Sequence, residues 1–401
     1  MITPAYSLTA TERVLPKLAL DFTTASLDPR VTFTRSGNTA TVVNSSGLVA
    51  AINADLPRFD YDPTTLACKG LLIEEARTNI CLQSQDMATT WSAIAGTVNA
   101  GQAVSPDGTQ NADELVAPNG SAATLAQTIS TTTTAYGWSV FAKSNGLNTL
   151  RLYSRFNPQN DVATFNLATQ TATVGAGGTS AKIEDYGNGW YRCSAVFTPT
   201  LASATNSYRF ITEAGDGAKS VYLWGAQLEA GAFATSYIPT VASQVTRTAD
   251  VATMTGTDFS DWFNASEGSF AIEGSAFAET QGVQKQGFLL VSPTVVSSSF
   301  RVSIAPLGYT IVNTTTQVNQ SLSTFVANTD YTVVAAYKLN DCQFASNSTL
   351  GATDTACTIP TVNFAQFGRF RSTDGLLSGY IKSMRYWPQR LTGAELQAFS
   401  N

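Results

Sequence analysis

Short runs rich in Val, Ile, Thr, Tyr and Phe recur down this chain, each stopped by Gly, Asn, Asp or Pro. Examples are YGWSVFAKS (136–144), TLRLYSRF (149–156), WYRCSAVFTP (190–199), VYLWGAQLE (221–229), YTVVAAYKL (331–339) and YIKSMRYWP (380–388). β-Branched and aromatic residues suit a pleated, half-buried backbone, so the pattern predicts strands joined by tight turns. Their spacing is irregular and no fixed repeat is present, which argues against a parallel β-helix. The expected fold class is all-β: two antiparallel sandwiches of the jelly-roll type after an extended, β-rich N-terminal segment. One helix is expected at TGAELQAF (392–399), where Thr392 and Glu395 form a capping box.

Composition then excludes function classes. The chain holds no histidine, which removes Ser-His-Asp and Cys-His nucleophile systems and most zinc sites. The net charge of -6, with no local run of Lys or Arg, argues against a nucleic-acid partner. Charged residues are only 13%, and hydroxyls, amides, Ala and Gly fill the surface instead, as suits a secreted or virion β-protein. The five cysteines, Cys68, Cys81, Cys193, Cys342 and Cys357, include no CxxC. An odd count of scattered thiols reads as reduced cysteines in a protein assembled in a cytoplasm; Cys342 and Cys357 are the one pair near enough to bridge a hairpin. The N-terminal MITPAYSLTATERVLPKLALDF lacks the pattern of a signal peptide, and no apolar run approaches the roughly 20 residues of a membrane helix.

Polar stretches near Gln83–Thr90 and Pro239–Asp250 divide the chain into 1–83, 84–245 and 246–401. In the first piece, DPRVTFTRSG, GLVAAINADLPRFDYDP and GLLIEEARTNI together resemble the N-terminal module of phage tail-fibre and head-spike proteins. That resemblance implies a virion component attached through this segment, homotrimers as the usual form, and no catalytic residue. In the second piece, SPDGTQNADEL (105–115), YGNGWYRCSAVFT (186–198) and VYLWGAQLEAGAFATSYIPT (221–240) resemble a carbohydrate-binding-module-like jelly roll, which implies a glycan ligand. In the third, EGSFAIEGSAFA (267–278), TDYTVVAAYKLND (329–341) and the ending FGRFRSTDGLLSGYIKSMRYWPQRLTGAELQAF (367–399) resemble a concanavalin-A-like, laminin-G-type sandwich. Members of that group bind sugars or proteins, sometimes through calcium. The loop acids available here are Asp330, Asp341, Asp354 and Asp374, without EF-hand spacing, so no cofactor is expected.

Sugar sites need aromatic faces and planar hydrogen-bonding groups. As a strand, TLRLYSRF puts Arg151, Tyr153 and Arg155 on one face, and Arg209 in SYRFIT extends that strip. These four are the candidate glycan ligands; a solvated sheet face with structural arginines is the plainer alternative. Trp190 and Tyr191 follow a GNG turn at a strand start, where tryptophan is usually core. In VYLWGAQLE, Val221, Leu223 and Gly225 alternate with Tyr222, Trp224 and Ala226, apolar on both faces, as in a strand covered on both sides. The adjacent Glu74 and Glu75 look like an acid–base pair, but in a strand they point to opposite faces and cannot flank one glycosidic bond. A structural Glu75–Arg77 pair fits better. No ExDxxE pattern occurs, so non-covalent binding is expected rather than catalysis. A polysaccharide lyase using Tyr and Arg, and an inert capsid decoration or adaptor protein, are the alternatives.

Overall fold

The structure, a computed structural model, describes residues 15–401 except 38, 157–158, 278–285, 294–297, 306, 323–324 and 372–374. It is all-β, built from antiparallel sheets with short helical turns only. No helix among the described residues is long and apolar enough to cross a membrane.

The central sandwich pairs two six-stranded sheets. One runs in the order Ser180–Asp185, Trp190–Phe197, Tyr136–Asn145, Ser220–Ala230, Ala112–Val116 and Thr97–Ala103. The other runs Thr171–Val174, Asn160–Asn166, Thr149–Ser154, Ser203–Ala214, Ala122–Thr131 and Ser92–Ala95. Leu150, Leu152, Phe165, Phe210 and Trp138 fill the space between them. Trp190 is buried as expected, its Nε1 donating to Val104 O at 2.9 Å.

The alternation expected in Ser220–Ala230 breaks midway. Val221 and Leu223 face the core, but the next core residues are Ala226 and Leu228 rather than Gly225. Ser139 pairs with Gln227 and Phe141 with Trp224, so the strand carries one extra residue. Gly225, at φ 66°, supplies the left-handed backbone of this bulge, and a Cβ there would lie 2.8 Å from the Phe141 ring. The bulge returns Ala226 and Leu228 to the core face, while Trp224 stays on the outer face with Phe141 and Tyr237.

The C-terminal sandwich is built on the strands Glu267–Ala276, Tyr331–Lys338 and Gly379–Trp387 in one sheet. Val251–Thr255, Phe364–Phe367, Gln286–Ser292 and Ser298–Ala305 lie in the other. The predicted helix closes it over Gly393–Phe399, with both capping-box hydrogen bonds present and Leu396 buried beneath. Cys342 and Cys357 are joined in a disulfide, Cα–Cα 6.6 Å, where the sequence reading favoured free thiols. The hairpin Tyr331–Ser346 and the backbone bridge between Cys342 and Asp354 bring them together.

The first segment does not stand apart. Leu18–Asp21 and Cys68–Ile73 both pair with one edge of Gly379–Trp387, and Thr32–Thr34 pairs with Val251–Thr255. Leu18, Phe22, Phe33, Leu71 and Ile73 are buried in the C-terminal core. Each such side chain contributes about 1.5–3 kcal/mol, which a segment too short for its own core gains only by docking. The central sandwich is therefore an insertion, and Arg77–Asn79 pairs with Val245–Arg247 where the chain enters and leaves it.

A buried ion network sits at that junction. Arg35, Arg58, Glu74, Arg247 and Asp250 all have fully buried side chains. Arg58 donates to Glu74 Oε2 at 2.6 Å, to Ser236 Oγ at 2.8 Å, and to Asp250. Arg247 Nη1 lies 3.1 Å from Glu74, and Arg35 Nη1 lies 3.3 Å from Asp250. Glu74 also accepts from Ser236 N and Oγ at 2.7 and 2.6 Å. Burial alone would raise its pKa, but Arg247, Arg58 and the Ser236 hydrogen bonds outweigh this and hold it at about 2. Glu75 turns the other way, onto Arg77, whose Nε lies 2.8 Å from Oε1. The two glutamates do face opposite sides, although they sit in a connection between strands rather than within one.

Glu74→Gln leaves Arg58 and Arg247 short of counter-charge, so urea unfolding should show a loss of about 3–5 kcal/mol. Glu75→Gln, at a partly exposed pair, should cost less than ~1 kcal/mol. Because the Glu74 pKa is depressed on folding, its contribution is complete above the ordinary value of 4.5 and disappears as pH falls toward about 2. Thermal melts across that range should show wild type losing more stability than Glu74→Gln; equal losses would count against the network.

Candidate functional site

The strip expected from the sequence is assembled as one face. Arg151, Tyr153 and Arg155 are solvent-facing along the second sheet of the central sandwich, while Leu150, Leu152 and Ser154 are buried. Tyr153 lies directly across from Arg209 on the neighbouring strand. Arg151 is already committed: its Nε and Nη2 hold Asp161 at 2.7–2.9 Å.

A more enclosed site lies on the other side of the same sandwich. A cleft of about 830 Å³ opens where its first sheet meets the N-terminal segment and the edge of the C-terminal sandwich. Val49, Phe141 and Tyr237 line it, and Trp224 and Trp190 pack with them in one small apolar cluster. The loop 231–240 is pinned by buried groups. Glu229 accepts from Thr235 N and Oγ1 at 2.6 and 2.7 Å, and Gln227 Oε1 accepts from Ile238 N at 2.7 Å.

The polar wall is a set of matched charges beside aromatic rings. Asp60 accepts from Tyr380 Oη at 2.5 Å and Val43 N at 2.7 Å, with Lys69 Nζ at 3.5 Å. Lys182 pairs with Glu184 at 2.7 Å, and Lys382 pairs with Asp330. Arg192, 6% exposed, donates to Ser139 Oγ and Thr235 O, and its Nε is buried without a partner among the described residues. Tyr186 meets Phe141 edge-on at 4.8 Å, and Phe277 meets Tyr380 at 5.3 Å.

These surroundings set the protonation states. Burial pushes the Tyr186 phenol well up, and burial with the Asp60 charge does the same for Tyr380, so both are neutral hydrogen-bonding groups. Burial would raise Glu184, but Lys182, Arg192 and Lys69 outweigh it and keep it ionised. Cys68 lines the cleft as a protonated thiol, its pKa raised by burial. Among the described residues, no group of three or more His, Cys, Asp or Glu is arranged to hold a metal ion. Asp330 is taken by Lys382, Asp341 by Arg390 at 2.7 Å, and Asp354 accepts from Ala356 N; Asp374 lies outside the described residues.

Sequence reasoning missed the cleft. Its walls come from Phe141 and from within residues 41–74, 180–196, 232–237, 275–277, 327–330 and 380–382, so no local window contains it. The one available signal was YGNGWYR, which places Tyr186 and Arg192 near each other around a tight turn.

No family model matches the chain, and no curated protein does. Solved structures similar to part of it include the Ruminococcus gnavus IT-sialidase CBM40 bound to α2,3-sialyllactose, at 17% identity and TM-score 0.30, covering 34% of this chain and 84% of that one. The NanB sialidase of Streptococcus pneumoniae shows 12% identity and TM-score 0.29, covering 36% of this chain and 26% of that one. A botulinum neurotoxin type C structure, described as showing cell entry dependent on two ganglioside molecules, shows 12% identity and TM-score 0.30, covering 38% and 40%. Likeness at this level transfers no ligand or activity to the present chain.

Since both cleft tyrosines favour the neutral form, the double variant Tyr186→Phe/Tyr380→Phe should leave the phenolate absorbance step at about pH 10 unchanged in amplitude. A smaller step would mean that at least one of them titrates as an ordinary exposed tyrosine.

Proposed function

We propose that this chain is a phage virion structural protein, a tail fibre or a head spike or fibre, that binds host-surface glycan non-covalently. The virion role draws on the motif resemblance over residues 18–85 and on the hydroxyl- and amide-rich composition. The N-terminal segment would join neighbouring virion proteins, and the usual homotrimeric form would multiply weak sugar contacts through multivalency. Assembly would take place in the host cytoplasm. No nucleic acid, membrane insertion or cofactor enters this reading.

The observation that carries glycan binding is the cleft. It combines aromatic edges with neutral hydroxyl groups, Tyr186 and Tyr380, and with an unpartnered Arg192 Nε. Sugars present alternating C–H faces and hydroxyl pairs, and such a wall meets both. Lys69, Lys182 and Lys382 each stand against an acid, so the cleft suits neutral, hydroxyl-rich sugar units more than an anion.

Catalysis is the second reading, because Tyr186 and Arg192 share this cleft with Asp60 and Glu184. A glycosidase needs a carboxyl group kept protonated. Glu184 is shifted the other way, and Asp60 is 6% exposed and bound by three donors. The geometry therefore favours binding without bond cleavage.

The test is to mix the purified chain with capsular and lipopolysaccharide extracts and follow binding and polymer length in one sample. Binding without shortening is expected. Tyr186→Ala and Phe277→Ala should each weaken it about tenfold, or ~1.4 kcal/mol. Shortening would make the protein an enzyme; neither effect would leave an inert decoration or adaptor role.

A further inference from the structure

We infer that the outer face of the second sheet of the central sandwich holds a separate site for a carboxylate-bearing sugar, formed by Arg155 and Arg209 with Tyr153 beside them. This rests on the glycan-binding reading above and assigns a ligand class that the cleft does not suit.

Register brings the groups together. Tyr153 lies directly opposite Arg209, and Arg155 N donates to Ser207 O at 3.0 Å, making Arg155 the diagonal neighbour of Arg209. Side chains in those positions on one sheet face are within reach of each other. Arg209 is braced by Nε to Ser207 Oγ at 3.2 Å, while its Nη2 is out of solvent without a hydrogen-bond partner among the described residues. Arg155 is exposed, with its guanidinium 5.0 Å from the ring centroid of Phe156, itself 57% exposed.

Charge accounting points to an anion. The six strands of this sheet contain two acids, Asp161 and Glu213. Asp161 is held by Arg151, and Glu213 accepts from Asn148 N, Thr149 N and Thr149 Oγ1. Neither is left for Arg155 or Arg209. In a chain of net charge -6, two neighbouring guanidinium groups without acid partners among the described residues are out of keeping with the rest of the surface. Burial and the nearby Arg155 charge also push the Arg209 pKa down, so the pair repels itself in the free protein. A carboxylate would relieve that repulsion, and the planar guanidinium matches its two oxygens. Tyr153 offers the adjoining ring face to the sugar.

The experiment uses an array of acidic glycans, each printed beside its carboxyl-reduced neutral counterpart, with sulfated glycans as a further arm. The full chain and its Arg155→Gln/Arg209→Gln variant are compared on it. Wild type should prefer at least one carboxylate glycan over its reduced form by about tenfold or more, and the variant should lose that preference while keeping its binding to neutral glycans. The melting temperature of the variant should not fall, since no acid partner is lost. No carboxyl dependence, a preference for sulfate alone, or a variant that loses neutral and acidic glycans together with stability would overturn the site while sparing the cleft. Absence of wild-type binding to every glycan would remove both readings.

Discussion

The fold depends on not leaving buried charge uncompensated. Arg35, Arg58, Glu74, Arg247 and Asp250 come from four separated stretches and meet with their side chains fully out of solvent. Any arrangement that brought only some of them inside would bury an unpaired ion, at several kcal/mol each. Hydrophobic docking of Leu71 and Ile73 favours association of the N-terminal segment with the C-terminal core but does not by itself choose the register. The ions do. Glu74 N donates to Asp250 Oδ2 at 2.9 Å while Asp250 N donates to Glu74 O at 3.0 Å, so backbone and side chains agree on one alignment.

That alignment positions the cleft. Ser236, which hydrogen-bonds Glu74 and Arg58, lies in the loop that forms one wall, and Glu74 is itself among the lining residues. Asp60, a strand residue of the N-terminal segment, reaches across to Tyr380 of the C-terminal sandwich. A ligand entering there meets groups already fixed by structural contacts, which lowers the ordering cost of binding.

Much of the architecture was legible because strand periodicity and turn chemistry are local. The terminal helix followed from Thr392 and Glu395, and the buried Trp190 from its place after a turn. Glu74 and Glu75 do turn to separate sides, but the strand alternation expected to separate them is absent, since both lie between Cys68–Ile73 and Arg77–Asn79. The identity of the Glu74 partners was not legible, since Arg58 and Asp250 are 16 and 176 residues away in sequence. The alternation in Ser220–Ala230 failed at Gly225 for a nearby reason: one inserted residue reverses parity, and the sequence alone does not say whether a strand glycine is a bulge. The disulfide was underrated because the return of Asp354 to Cys342 is a loop path, invisible to spacing. The strip Arg151, Tyr153, Arg155 and Arg209 was legible as a face, but the sequence did not show that Asp161 occupies Arg151.

The two sides of the central sandwich differ in one physical respect. In the cleft, Lys69, Lys182 and Lys382 each pair with an acid of the folded chain, so their charges are spent on positioning walls. On the opposite face one guanidinium is neutralised and two are not, although the same sheet carries a second carboxylate that is used on backbone amides instead. Self-repulsion of Arg155 and Arg209 is a cost with no structural return in the chain itself. A group that repels its neighbour in the free protein and has an unfilled donor gains most when an anion arrives, whereas a balanced wall gains little. On that ground the two surfaces are suited to different parts of one polymer, the cleft to its neutral units and the arginine face to its acidic ones.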